Sequence, residues 1–129
     1  MRLALDTNAY TAFCKGDPKT LNAIQSSDIL LVPLPVLAEL RAGFAVGRKG
    51  GENEATLQKF LNSKRVAVAT PNEATTFIYS RLFAYLRSKG TPIPINDLWI
   101  ASITQQHDAT LLTYDQHFDA LPQIPKWGA

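Results

Sequence analysis

Arg2-Leu3-Ala4-Leu5-Asp6-Thr7-Asn8 opens the chain with a short apolar run that ends on a carboxylate and then on two polar residues suited to starting a helix. Successive side chains of a strand point to opposite faces of its sheet, so an uninterrupted apolar run fits a strand covered on both sides. Working outward, Ile29-Leu30-Leu31-Val32, Val66-Ala67-Val68-Ala69 and Thr110-Leu111-Leu112-Thr113 read as further short strands, and Ile124 to Trp127 as an edge strand. Helix signals lie between them. Asn8 is expected to cap a helix to about Lys15, stopped by Gly16, and Pro18 to open another through about Gln25. Pro33 and Pro35 start a helix with Val36, Leu37, Leu40 and Phe44 on one side and Glu39 at the border of that stripe.

Gly47-Arg48-Lys49-Gly50-Gly51 reads as a basic, glycine-rich loop before a helix over 52–62. A long amphipathic helix is expected over 72–89, ended by Gly90, then an extended connector over 91–95. Asn96 or Asp97 is expected to cap a helix to about His107, and a short turn or helix follows the last core strand through Ala120. Strands alternating with helices predict an α/β fold with a mostly parallel central sheet. At 129 residues, with no linker or repeat, the chain is expected to be a single domain over 1–129.

Hydrophobic residues make up 46% of the chain and charged ones 19%, which excludes a disordered protein. No apolar run approaches the roughly 20 residues of a membrane helix, so a cytoplasmic protein with no membrane partner is expected. The single cysteine, Cys14, cannot close an internal disulfide, and no Cys/His cluster has zinc spacing.

Four acids stand at the ends or edges of apolar elements: Asp6, Glu39, Asp97 and Asp115. In open α/β sheets ligands bind beyond the carboxyl ends of the strands, and Asp6 and Asp115 each follow a strand-like run there. Asp97 at a helix start and Glu39 on a helix flank can reach the same crest. Each also has an ordinary role open to it: a helix cap for Asp97, an Asx-turn for Asp115, a solvated flank for Glu39. Gathered together, they repel one another and call for a hard cation, Mg²⁺ or Mn²⁺. Setting these four aside leaves seven acids against 13 Lys and Arg, a residual +6. A negative pocket in a mildly basic surface suits a polyanionic substrate, although on charge alone so modest an excess reads first as an ordinary solvated surface.

The chain resembles the PIN-domain ribonucleases, specifically the small VapC-like toxins of toxin–antitoxin pairs. The resemblance runs through Leu5-Asp6-Thr7-Asn8, Glu39-Leu40-Arg41-Ala42-Gly43-Phe44, Pro94-Ile95-Asn96-Asp97-Leu98-Trp99-Ile100-Ala101 and Leu112-Thr113-Tyr114-Asp115-Gln116-His117-Phe118, in that order along nearly the full length. It implies a three-layer α/β/α sandwich and a metal-dependent endoribonuclease that acts as a toxin inhibiting growth. It also implies homodimerisation and a cognate antitoxin that reaches into the active-site groove.

On this reading Asp6, Asp97 and Asp115 hold the metal and Glu39 ligates or orients the attacking water. Thr7, Asn8, Asn96 and Thr113 are candidates to orient the carboxylates. Arg41, Arg48 and Lys49 are candidates to contact RNA or the antitoxin. His107 and His117 look too isolated in the sequence to pair in acid–base chemistry, and Asp119 is expected at the surface. The alternative is a catalytically silent PIN-like module that binds RNA or protein.

Overall fold

A computed structural model describes residues 1–128 of the chain. Its elements run β1 (Arg2–Leu5), α1 (Thr7–Cys14), α2 (Pro18–Gln25), β2 (Ile29–Pro33), α3 (Leu34–Val46), α4 (Gly50–Leu61), β3 (Val66–Ala69), α5 (Glu73–Lys89), α6 (Ile95–Gln106) and β4 (Thr110–Leu112). A 3-10 turn follows over Gln116–Ala120.

The strands form one sheet in the order β3-β2-β1-β4, and every pairing is parallel. β1 is central: Leu3 faces Leu30 of β2 on one side and Thr110 of β4 on the other. Residue alternation divides the core. Leu3, Leu5, Leu30 and Leu112 turn to one face, with Ala9 of α1 and Ala23 and Ile24 of α2. Ala4, Leu31 and Leu111 turn to the other, where α3, α5 and α6 contribute Val36, Leu37, Leu40, Leu82, Leu86, Leu98, Ile100 and Ile103. This is the expected three-layer α/β/α sandwich, and burial on both faces explains why β1, β2 and β4 read as continuous apolar runs, whereas β3 at the sheet edge is largely exposed.

Several local expectations are corrected. Asp6, not Asn8, caps α1, because Asp6 is the only residue between β1 and the helix. α6 starts at Ile95, with Pro94 in the capping position, so neither Asn96 nor Asp97 is the cap; Asp97 lies in the first turn. Pro94 cannot lie inside a helix, yet its fixed φ is suited to leading into one. The basic loop is shorter than expected, since α4 begins at Gly50. Ile124 to Trp127 gives a single parallel bridge, Leu111 to Lys126, rather than a strand. Leu111 N–H donates to the Pro125 carbonyl at 2.8 Å and Trp127 N–H to the Leu111 carbonyl at 2.9 Å, but Pro125 has no N–H with which to extend the ladder.

Candidate active site

β1 and β4 are neighbours, so the segments leaving their carboxyl ends emerge side by side. Asp6 continues β1, its N–H donating to the Leu112 carbonyl at 3.3 Å. Its two carboxylate oxygens have different duties. Oδ1 accepts the Ala9 N–H at 2.8 Å and caps α1, while Oδ2 accepts the hydroxyl of Thr113. The side chain is almost fully enclosed, at 4% exposure, and loss of solvent pushes its pKa up to about 6. The hydrogen bonds from Thr113 and Ala9 oppose that rise, and the charges of Asp115 and Asp97 add to it.

Thr113 joins two of the acids. Besides donating to Asp6, its Oγ1 accepts the Asp115 N–H at 3.0 Å. Asp115 caps the 3-10 turn, Oδ1 accepting the His117 N–H at 2.9 Å. Asp97 projects from the first turn of α6 to the same place. Burial raises its proton affinity, the hydrogen bond from His117 lowers it, and Asp115 raises it again. Glu39, on the flank of α3, accepts the Thr7 hydroxyl at 3.1 Å. Its pKa is also raised, first by burial and then by the charges of Asp97 and Asp115. The fold therefore brings Asp97 and Asp115 within electrostatic reach of both Asp6 and Glu39.

The expected helpers separate into two groups. Thr7 and Thr113 bind carboxylates, whereas Asn8 and Asn96 are exposed and make no side-chain hydrogen bond to the acids among the described residues. Arg41 is engaged elsewhere: Nε and Nη2 donate to the Glu54 carboxylate at 3.0 and 3.1 Å, bracing α3 against α4. Arg48 and Lys49 are exposed and make no ion pair among the described residues, and Asp119 is at the surface as expected.

His117 belongs to the cluster, contrary to its reading as isolated. Its Nδ1 stands 2.8 Å from Asp97 Oδ2 and 3.2 Å from Asp115 Oδ1. These carboxylates raise its pKa, the Asp97 hydrogen bond most of all. The available signal was the spacing from Asp115: an aspartate that caps a tight turn brings residue i+2 back over its own carboxylate.

The donor set fits a divalent cation. Asp97, Asp115 and His117 each offer one ligand atom, all within 4.8 Å of one another, with Asp6 buried alongside. Two like charges about 4 Å apart repel by roughly 4 kcal/mol at an effective dielectric near 20, and a shared cation removes that repulsion. Oxygen-rich donors at a partly open crest suit Mg²⁺ or Mn²⁺.

Known proteins share this arrangement of chain. The family model described as PIN domain matches residues 3–124. Ribonuclease VapC2 of Rickettsia felis is 30% identical over 125 residues, covering 93% of this chain and 92% of that protein. Ribonuclease VapC1 of Haemophilus influenzae is 32% identical over 115 residues, covering 86% and 84%. The crystal structure of VapBC2 from Rickettsia felis, bound to a DNA fragment from its promoter, superposes with a TM-score of 0.85 at 30% identity, covering 98% of this chain and 97% of that one. With the full sheet, both helical layers and nearly the whole length matched, the chain belongs to the PIN-domain family, among its VapC ribonucleases.

Proposed function

We propose that this protein acts as one PIN-like domain that hydrolyses RNA phosphodiester bonds, as the cytoplasmic toxin of a toxin–antitoxin pair, with Mg²⁺ or Mn²⁺ as its cofactor. The observation that carries the reading is the meeting of Asp6, Glu39, Asp97 and Asp115 at the carboxyl edge of β1 and β4. Asp6, Asp97 and Asp115 hold the ion. When bound, the ion activates a water and stabilises the charge that develops on the phosphate and the departing oxygen.

The chain's own groups set the geometry. Thr113 fixes the Asp6 carboxylate and, through the Asp115 N–H, the turn that carries Asp115. Thr7 fixes Glu39, whose raised proton affinity suits it to take a proton from the attacking water. Arg48 and Lys49 are proposed contacts for RNA backbone or an antitoxin tail. The VapBC complex among the relatives supports a cognate antitoxin as partner. The silent-module alternative is disfavoured because all four acids are present and converge.

Incubating the purified protein with RNA in Mg²⁺, in Mn²⁺ and in EDTA tests the reading, with sequencing of the RNA ends. Cleavage in either ion that stops in EDTA is expected. RNA bound but intact in both ions would leave only the binding module.

Homodimerisation is proposed through the α5–α6 face. Phe83 and Ile95 are 50% and 67% exposed there and line a cleft of about 370 Å³ together with Tyr79, Leu86, Pro92 and Ile93. An apolar surface of this kind is a common mark of association. Phe83→Glu is expected to halve the mass measured by light scattering; a dimer that persists would place the interface elsewhere.

A further inference from the structure

We propose that His117 is a nitrogen ligand of the same centre and tilts its choice of ion toward Mn²⁺ over Mg²⁺. The inference rests on the reading of the site as a divalent-cation centre. Donors at adjacent corners of an octahedron with bonds of about 2.1 Å lie about 3 Å apart. His117 Nδ1 is 2.8 Å from Asp97 Oδ2 and 3.2 Å from Asp115 Oδ1, so the nitrogen is spaced from each oxygen as a neighbouring donor around one small cation would be, and the three residues' ligand atoms lie within 4.8 Å of one another.

The ring is held there by the chain itself. The His117 N–H is tied to Asp115 Oδ1 at 2.9 Å, and the next residue, Phe118, is wholly buried, which fixes the direction in which His117 leaves the turn. About half of the imidazole side chain is exposed, so it can turn slightly from the carboxylates toward an arriving ion without disturbing the core. An all-oxygen set suits Mg²⁺ well. An imidazole among the donors adds little for Mg²⁺ but strengthens binding of first-row transition ions, for which nitrogen is a good partner.

The test uses Mn²⁺ and the full, metal-free chain, read by electron paramagnetic resonance. Loss of the free-ion signal gives affinity, and spin-echo modulation reports a nitrogen nucleus bonded to manganese. The chain has two histidines, His107 and His117, so any imidazole signal has two possible origins. Wild type and His107→Ala are expected to show nitrogen modulation. His117→Ala is expected to lose it and to bind Mn²⁺ about tenfold more weakly, with Mg²⁺ competition changed by less than about threefold.

Mn²⁺ bound to wild type without nitrogen modulation, or modulation that survives His117→Ala, overturns the ligand assignment and leaves the centre standing. An unchanged Mn²⁺-to-Mg²⁺ affinity ratio in His117→Ala overturns the selectivity claim. Wild type that binds no more Mn²⁺ than Asp6→Asn removes the centre and this inference together.

Discussion

Asp6→Asn is expected to lower metal-dependent RNA cleavage by about a hundredfold or more, and at pH 8 to leave the metal-free protein more stable than wild type. Losing a residue that only orients a ligand typically costs about 10- to 100-fold, and Asp6 is proposed as a ligand itself. The gain in stability comes from the same burial. Asparagine has nearly the same shape, is an equally good cap, and its Oδ1 can still accept the Ala9 N–H. What it removes is a charge in a nearly enclosed position, where wild-type Asp6 has a pKa pushed up to about 6.

The direction with pH follows from proton counting. The folded chain holds the Asp6 proton more tightly than the unfolded chain does, so between about pH 4 and pH 6 folding takes up a proton. The contribution of Asp6 is therefore most favourable below about pH 4 and is lost as pH rises through 6. Complete ionisation costs about 3 kcal/mol relative to the acid end, as an order of magnitude. Thermal melts in EDTA are expected to show Asp6→Asn melting above wild type at pH 8, with the gap closing as pH falls toward 4. A mutant that cleaves RNA at the wild-type rate would remove Asp6 from the chemistry. A mutant that melts well below wild type at pH 8 would show that the carboxylate charge stabilises the fold.

Phe118→Ala is expected to cost about 3–5 kcal/mol, a large part of the roughly 5–15 kcal/mol that holds a domain of this size together. Phe118 is wholly buried in the larger core cluster, beneath the turn that carries Asp115 and His117. Its removal leaves a cavity and loosens that turn, so cation affinity is expected to fall together with stability. Denaturant unfolding measures the first and Mn²⁺ titration the second. Phe118→Leu keeps much of the apolar volume and is expected to recover most of both. A cost under about 1 kcal/mol for the alanine variant would mean that the turn is held by Asp115 and its hydrogen bonds instead.

The layered fold was legible because β1, β2 and β4 are mostly buried apolar runs and the helices carry clear breakers, as at Gly16, Pro18 and Gly90. Asp6 and Asp115 were legible from their positions just past apolar runs, Asp97 from a helix start and Glu39 from the border of an apolar stripe. Helix starts were less so. Asp6 follows a strand, caps a helix and accepts the Thr113 hydroxyl at once, so a reading that gives each residue one duty moves the cap to Asn8. Gly50 and Gly51 look like loop residues, yet they occupy the first turn of α4, where helix propensity matters less than in the interior.

His117 was hidden for a different reason. Its partner Asp97 is 20 residues away and comes into range only when α6 and the 3-10 turn pack together. Arg41 shows the converse: a basic residue beside Glu39 in the sequence is already satisfied by Glu54 on the neighbouring helix.

The placement of β1 between β2 and β4 also sets a timetable for synthesis. Leu5 is paired with Leu112, and the hydroxyl that steadies Asp6 comes from Thr113, so the first carboxylate made waits for the last strand. While β4 is still inside the ribosome, the growing chain has neither Asp115 nor the support of Thr113. Until the segment around Thr110 is available to pair with β1, the carboxylates at the two strand ends cannot be brought together.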